Sequence, residues 1–357
     1  MTATLVRPGP DQARIAARAF GYGSGARIVA VVGGHINESY RVEARNGGIL
    51  LQWINPAVFS DPDAVQDNVE LIVRHLRAAD PEGKWPELRR AADGRERVRT
   101  ATGLWRAFGW LPDCVQYERP EAVVDAGRGA VAFARFVAVL ATLDAARLRP
   151  TLSGFHDLAA RLNVLDGAVV DAERPRLDAA AACLESVAAT RGSRLSQQPA
   201  GAVRVIHGDT KFSNLLFRSR GREAVAVDYD TVMPGYLAWD FGDLLRSAAS
   251  SAAEDDPGGG RVDERILFAC ADGYLGTLRD GCDAAERDAM AAAPAGMAFM
   301  LGVRFLADHL AGDRYFRIRR PGQNLDRARH QFALAAALDQ HQPALRQRLE
   351  PLDRPSP

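Results

Sequence analysis

Apolar and polar positions alternate in short runs through the first third of the chain, as they do in β-strands. Two of these runs flank Asn46-Gly47, a dipeptide typical of a two-residue type I′ hairpin turn. Helical spacing predicts a short helix over 10–20 and another near 62–78. We therefore expect a β-meander of about five or six antiparallel strands with one helix inserted. The expected strands lie within 26–32, 39–44, 48–53, 87–93, 96–101 and 104–110.

In the rest of the chain the apolar positions recur at helical spacing, interrupted by one pair of short strands within 203–230. This pattern predicts an α+β protein with an antiparallel β N-lobe over 1–111 and a mainly helical C-lobe over 112–357. We expect flexible connectors at 193–201 and 250–261, where small, polar and Gly/Pro residues collect. The expected helices of the C-lobe lie within 122–143, 155–165, 239–250, 265–278 and 332–341.

The composition is that of a globular protein. A chain of 357 residues with 47% hydrophobic residues can bury a large core, and its formal net charge of +0 does not favour nucleic acid or an anionic membrane as a partner. The four cysteines form no CxxC pair, which argues against a disulfide framework or a zinc site and favours the reducing cytoplasm. No signal peptide is predicted, and the longest uncharged run, 289–303, is expected to break at Pro294. The sequence does not indicate an oligomeric state.

The stretch 203–230 carries the chemistry, because its polar side chains follow two apolar runs. Asp209 and Asn214 have the spacing of the kinase motif HRDxxxxN, and Asp228 stands where the DFG aspartate would stand. Phosphoryl transfer needs a carboxylate beside the attacking hydroxyl, and amide and carboxylate oxygens to hold magnesium. We therefore predict Asp209 as the base and Asn214 and Asp228 as Mg²⁺ ligands. The alternative is three ordinary turn residues.

Four neighbouring polar residues have a structural and a chemical interpretation. Lys211 is one of only two lysines, and we predict that it contacts the transferring phosphoryl group. We interpret His207 as a support of the loop backbone, because a catalytic base has to reach the proton that it takes. Asp240 and Asp243 begin a predicted helix, and we expect them to cap it and to tie down the catalytic loop.

The nucleotide side is marked more weakly. Gly33-Gly34 separates two strands and could bring backbone amides to a triphosphate, although Gly-Gly in a hairpin is often only a turn. Gln52 occupies the strand position where a kinase carries lysine, which indicates either a pseudokinase or an enzyme in which Lys211 and Mg²⁺ bear the phosphate charge. Because Asp209, Asn214 and Asp228 are all present, we favour the enzyme. The residues predicted to bind ATP are Gly33, Gly34, Asn37, Gln52, Trp110 and Leu111.

With glycine at 208, the loop resembles the HGDxxxxN loop of the aminoglycoside phosphotransferase superfamily, which has a two-lobed, protein-kinase-like fold. A narrower resemblance, to the N-acetylhexosamine 1-kinases and their relatives, extends from about residue 34 to 333. It includes DTVMPG followed by DFGD, and a glutamine at the position of Gln52. Phe155-His156 also matches a family position, and we interpret it as packing. The matching segments are GHINESY, ILLQWINPAVFSDP, HGDTKFSNLLF, VDYDTVMPGYLAWDFGDLLRSAASSAAED, GVRFLADHLAGDRYFRI and NLDRARHQF.

The resemblance implies ATP- and Mg²⁺-dependent phosphorylation of the anomeric hydroxyl of N-acetylglucosamine or N-acetylgalactosamine. It implies Asp209 as the base and Asp230, Arg304 and Tyr315 as sugar contacts. These residue types suit a hexose, since a carboxylate accepts and a guanidinium donates hydrogen bonds to its hydroxyl groups. The alternative for Arg304, which lies in an apolar helical segment, is an ion pair with Asp308 four residues further along the helix.

Three functions remain open from the sequence: a sugar 1-kinase, an antibiotic or small-alcohol phosphotransferase of the same superfamily, and a nucleotide-binding pseudokinase. A binder of polycationic aminoglycosides is expected to have an acidic surface, and the balance of 45 acidic and 45 basic residues does not provide one. We therefore expect ATP and a small sugar as the partners.

Overall fold

A five-stranded antiparallel sheet forms the N-terminal part of the protein, as the strand pattern predicted. The structure, a computed structural model, describes residues 7–31, 36–44, 47–199, 201–218, 223–278 and 281–350. The order across the sheet is β1-β2-β3-β5-β4. The expected strand at 87–93 is wrong in extent, since only a single bridge, Leu88 to Phe108, forms there. The strands are β1 (Arg27–Ala30), β2 (Glu38–Glu43), β3 (Ile49–Trp53), β4 (Val98–Thr100) and β5 (Gly103–Gly109).

Two helices cover this sheet, close to their predicted positions. Helix α1 spans Pro10–Ala19, and its buried alanines pack under β1 and β4. Helix α2 spans Pro62–Ala79, and the Asp61 carboxylate caps it by accepting the backbone N–H of Ala64 at 2.9 Å. Proline at its first position costs no hydrogen bond, because that N–H has no partner inside a helix.

The chain then passes from the N-lobe to the C-lobe through residues 110–113. Strand β5 ends at Gly109, and the next strand, β6 (Cys114–Val115), pairs with a strand of the C-lobe. Trp110 and Leu111, which are predicted to bind ATP, therefore lie where the chain changes from one sheet to the other. The division of the chain into two domains at residue 111 stays a prediction.

The C-lobe is mainly helical, which confirms the predicted fold class. Helix α5 was not predicted, and it takes in 193–196 of the expected connector; of α8, only the apolar segment that contains Arg304 was expected to be helical. Helix α8 continues through Pro294, so the expected break there is wrong. The helices are α3 (Val123–Leu140), α4 (Leu158–Asp171), α5 (Arg174–Ser196), α6 (Leu237–Ala249), α7 (Glu264–Leu278), α8 (Ala284–Leu310) and α9 (Gln323–Leu349).

Helix α8 is the central helix of this lobe and packs against α4, α6 and α9. By length and composition alone it could cross a membrane, but 72% of its most apolar window is buried inside the protein. Its N-terminus carries a capping box, in which Asp283 and Glu286 each accept the other's backbone N–H.

Four short strands hold the loops that carry the predicted site residues against these helices. Strand β7 pairs with β10, and β8 pairs with β6 and β9, all antiparallel. The loop after β7 and the loop after β9 therefore emerge side by side, next to the buried start of α6. The strands are β7 (Arg204–Ile206), β8 (Leu215–Arg218), β9 (Ala224–Ala226) and β10 (Met233–Gly235).

Candidate active site

The loop after β7 is held by a single buried carboxylate, that of Asp240 on α6. It accepts the backbone N–H of His207 at 2.7 Å and that of Gly208 at 2.8 Å. The backbone carbonyl of Asp240 also accepts the Thr210 hydroxyl at 2.6 Å. The expectation that Asp240 ties down the loop is confirmed. Asp240 does not cap α6, because the residue at the N-cap position of this helix is Tyr236.

Asp243 has a different role from the one expected. Its Oδ1 accepts the Nε–H of Arg246 at 3.0 Å within the same helix, and both side chains are buried. Asp243 therefore neither caps α6 nor bonds the loop backbone. Burial lowers the pKa of the Lys211 ammonium group in the loop, but the charges of Asp209 and Asp228 raise it above its ordinary value, and the charge of Asp243 adds only a smaller rise.

His207 supports the loop from below. Its ring is buried among Phe133, Phe136 and Tyr229, and its Nε2 lies 3.0 Å from the Val227 carbonyl oxygen. Burial lowers the pKa of His207 to about 4, so the ring is neutral and donates to that carbonyl. This geometry agrees with the structural role predicted for His207.

His156 supports the same loop from the other side. Its Nε2 lies 2.8 Å from the carbonyl oxygen of Gly208, and burial lowers the pKa of His156 to about 4. Gly208 itself has φ of +79°, and a Cβ there would lie 2.4 Å from the carbonyl oxygen of Thr231. The glycine of the HGD motif is therefore required by the close approach of the two loops.

Asp209 and Lys211 form an ion pair at the mouth of the loop, with Nζ 2.7 Å from Oδ2. Burial alone would raise the pKa of Asp209, but the Lys211 charge and the hydrogen bonds outweigh it and lower the pKa to about 2. Asn214 adds one of these hydrogen bonds by donating its Nδ2–H to Oδ2 at 2.8 Å. Asp209 is therefore a fixed carboxylate that can orient a hydroxyl group and accept its hydrogen bond.

Asp228 follows β9 in a left-handed backbone conformation, with φ of 69° and ψ of 68°. Aspartate is one of the few residues that adopts it readily. The side chain keeps contact with solvent, yet partial removal of water and then the charge of Asp230 raise the pKa of Asp228 to about 6. The charges of Lys211 and Asp209 also act on it, so the two loops bring these groups together.

The donor set fits a magnesium ion. The amide Nδ2 of Asn214 is bonded to Asp209, which leaves Oδ1 without a hydrogen bond from any residue that the structure describes. A carboxylate crowded by negative charge, as Asp228 is, gains most from a bound cation. Oxygen ligands of this kind are those that Mg²⁺ takes from proteins. The roles of Asn214 and Asp228 stay predictions.

Asp230 forms an ion pair with a residue that was not among the predicted site residues. Its carboxylate is buried and forms an ion pair with the Arg106 guanidinium on β5, which is 0% exposed. Asn37 also donates its side-chain N–H to Asp230. The predicted sugar contact by Asp230 stays a prediction, and it would have to share a carboxylate that is already engaged on both oxygens.

Arg106 also explains the glutamine in place of the strand lysine. Gln52 lies directly opposite Arg106 in the β3–β5 register, and its Oε1 accepts Nε–H at 3.1 Å and Nη2–H at 3.0 Å. The buried cation thus comes from the neighbouring strand and points to the loop after β9. The sequence signal was the arginine on β5, which could replace the lysine absent from β3. It could be recognised only once the pairing of these two strands was known.

Arg304 on α8 does not pair with Asp308, so that alternative is wrong. The Asp308 carboxylate instead accepts the backbone N–H groups of Arg314, Tyr315 and Phe316 at 2.8–2.9 Å. Arg304 lies over the aromatic rings of this segment and of Phe155, with its Cζ 4.8 Å from the Phe155 ring centre. Tyr315 is 50% exposed, which leaves its ring available to a ligand.

The predicted ATP-binding residues are placed only in part. Gly33 and Gly34 lie outside the described residues. Trp110 is half-buried and packs under the Arg41 guanidinium, with 4.5 Å from Cζ to the ring centre. Leu111 is half-buried in the hinge. Asn37 bonds Asp230 rather than pointing freely into the cleft, and its role with nucleotide stays a prediction.

Comparison with known proteins agrees with this geometry. The model of the phosphotransferase enzyme family (APH) matches residues 27–274. An aminoglycoside phosphotransferase from Alicyclobacillus acidocaldarius is similar over 98% of both chains, at 17% identity and a TM-score of 0.59.

Two further solved structures are similar. A microcompartment-associated aminopropanol kinase is similar over 96% of this chain and 100% of its own, at 17% identity and a TM-score of 0.65. A spectinomycin phosphotransferase, solved with ADP and spectinomycin, matches over 88% and 93% at 10% identity and a TM-score of 0.56. At these identities the likeness shows the fold.

The first prediction concerns the buried ion pair. Replacing Arg106 with methionine leaves the Asp230 carboxylate buried without its cation, and removing one partner of such a pair costs roughly 3–5 kcal/mol of unfolding free energy. Denaturant unfolding of Arg106→Met, Asp230→Asn and the double variant should show costs that do not add. Arg191→Met, which breaks an exposed pair with Asp166, is the control and should cost less than about 1 kcal/mol. Additive costs for the buried pair would contradict the coupling.

The second prediction concerns the neutral histidine under the loop. Its pKa in the folded protein, about 4, lies below the ordinary value of 6.5, so the unfolded chain binds the proton first as the pH falls. The stability that neutral His207 contributes is present above pH 6.5 and is lost towards pH 4. The unfolding free energy of wild type minus that of His207→Phe should fall by about 3 kcal/mol across this range. A difference independent of pH would show that the ring is not held neutral.

The third prediction concerns Lys211. Methionine in its place keeps the apolar stem but removes the only lysine beside Asp209, so kcat should fall by about 10²–10³-fold while the KM for ATP changes little. Steady-state kinetics with the matched variant Lys84→Met, an exposed lysine, provides the comparison. An unchanged kcat with a raised KM would mean that Lys211 binds the ground state only.

Proposed function

Because this chain belongs to the phosphotransferase enzyme family, we propose that it transfers the γ-phosphate of ATP to the anomeric hydroxyl of an N-acetylhexosamine or related hexose. The observation that carries the reaction type is the fixed group of Asp209, Lys211 and Asn214, placed beside Asp228 by two adjacent loops. The choice of sugar rests on the sequence resemblance and on the residues of the acceptor side.

Asp209 accepts the hydrogen bond of the attacking hydroxyl and takes its proton as the new P–O bond forms. A carboxylate with a pKa of about 2 is a weak base in the ground state, so its first task is to hold the hydroxyl in line. This suits a reaction whose transition state demands position and charge more than covalent help.

Lys211 and the bound Mg²⁺ would both neutralise negative charge on the phosphate groups. Lys211 lies 2.7 Å from Asp209 and can turn its ammonium group to the oxygens of the transferring phosphoryl group. Asn214 and Asp228 would hold the magnesium ion, which supplies charge neutralisation to the β- and γ-phosphates when bound. Asp240 keeps the loop backbone fixed while these groups act.

On the acceptor side, Arg304 and Tyr315 offer what a hexose requires. The exposed ring of Tyr315 can pack against the apolar face of a sugar, and the guanidinium of Arg304 can donate to its hydroxyl groups. Arg304 has no carboxylate partner among the residues that the structure describes, so its donors are available to a ligand.

These residues do not favour the other functions considered. An aminoglycoside is a polycation, and an arginine without an acidic partner would repel it. A pseudokinase has no need of the Asp209, Asn214 and Asp228 set. For the location we propose the cytoplasm, and the four free cysteines are in keeping with a reducing compartment.

The fourth prediction tests the anomeric assignment. With enzyme and ATP, N-acetylglucosamine should be phosphorylated and ADP should be released. The 6-deoxy analogue should still react, whereas the methyl glycoside should be inert because its C1 no longer carries a hydroxyl. Proton-coupled phosphorus NMR of the product should show one coupling, to H1. Coupling to a methylene pair, or turnover of the methyl glycoside, would refute phosphorylation at C1.

A further inference from the structure

Two arginines lie together on the acceptor side without an acidic partner. The guanidinium carbons of Arg161 and Arg304 lie 5.8 Å and 4.8 Å from the centre of the same ring, that of Phe155. Within the described part of the chain, no carboxylate forms an ion pair with either residue. Arg161 donates only to the carbonyl oxygen of Phe155, from Nε at 3.1 Å and Nη2 at 3.0 Å.

This arrangement costs free energy in the protein alone. Both side chains are half-buried against the same ring, and like charges repel each other more strongly where water is excluded. Burial, and then the charge of Arg304, lower the pKa of Arg161 to about 10. The nearest acid on the same segment, Asp157, uses its carboxylate to cap α4 through the backbone N–H of Ala160.

The pair is also placed next to the chemistry. Phe155 immediately precedes His156, whose ring donates to the carbonyl of Gly208 beside the catalytic Asp209. Burial is the main cause that lowers the pKa of His156, and the positive charge of Arg304 lowers it further. The two guanidinium groups therefore belong to the wall that faces the acceptor, and Tyr315 lies on the same wall.

We propose that Arg161 and Arg304 form an anion subsite, and that the natural acceptor is an acidic sugar with a carboxylate or phosphate group. The inference rests on the proposed function in taking the acceptor to be a hexose. Guanidinium groups bind such oxyanions through two parallel hydrogen bonds, which specifies their orientation as well as their charge. An oxyanion between the two groups removes their mutual repulsion.

Binding measured without turnover tests the subsite. In the Asp209→Asn background, isothermal titration calorimetry should compare N-acetylglucosamine with N-acetylglucosaminuronic acid and N-acetylglucosamine 6-phosphate. We expect at least one acidic sugar to bind about tenfold or more tightly than the neutral one, since a hydrogen bond to a charged group contributes about 1.5–3 kcal/mol. The acid that binds better identifies the group.

Variants separate the subsite from general effects. Arg161→Gln and Arg304→Gln should each remove most of the preference for the acidic sugar, and Arg304→Lys should keep part of it. Arg18→Gln removes an exposed arginine of α1 and should leave the preference intact. Unchanged ATP affinity and a single cooperative unfolding transition establish that each variant is folded.

The outcomes distinguish the inference from the function on which it rests. Equal affinities for the three sugars would overturn the anion subsite and leave the sugar kinase proposal standing. Loss of affinity for neutral and acidic sugars alike in Arg161→Gln would also overturn it, since the residue would then act on the sugar ring. Absence of binding by all three sugars would refute the proposed function, and the subsite with it.

Discussion

The buried ion pair between Arg106 and Asp230 is the constraint on which the site depends. Two opposite charges without access to water are stable only while they remain together, because separating them leaves each unsolvated. Arg106 belongs to the N-lobe sheet, and Asp230 lies two residues after the predicted metal ligand Asp228. The pair therefore fixes the loop that carries Asp228 against the sheet.

The same pair changes how charge is distributed in the cleft. In a kinase, the lysine of this strand can reach the nucleotide. Here Gln52 occupies that position and accepts two hydrogen bonds from Arg106, whose charge is paired with Asp230. Lys211 is then the lysine left beside the reacting groups, and it is bonded to Asp209. The lysine charge therefore lies on the loop after β7, where we propose that the phosphoryl group is transferred, rather than on β3.

Local patterns predicted the loops, and long-range pairing supplied the rest. The positions of Asp209, Asn214 and Asp228 were readable because short strands and fixed spacing define them. Arg106 was not, since its role depends on facing Gln52 across two strands that are 54 residues apart. Helix α5 was missed because only Ala180, Cys183, Val187 and Arg194 of it are buried, which leaves a weak apolar stripe. The pairing of Arg304 with Asp308 failed because Asp308 organises the turn after α8.

This division lets specificity change without disturbing the catalytic geometry. The catalytic loop is held by Asp240 of α6, while the acceptor wall is built on α8 and on the turn that Asp308 holds. His156 connects the two through the carbonyl of Gly208, and α6 also packs directly against α8. We therefore expect substitutions at Arg304 or Tyr315, the proposed acceptor contacts, to leave the hydrogen bonds from the loop backbone to Asp240 intact. Aminoglycoside, aminopropanol and spectinomycin phosphotransferases share this fold, so the fold alone does not determine the acceptor.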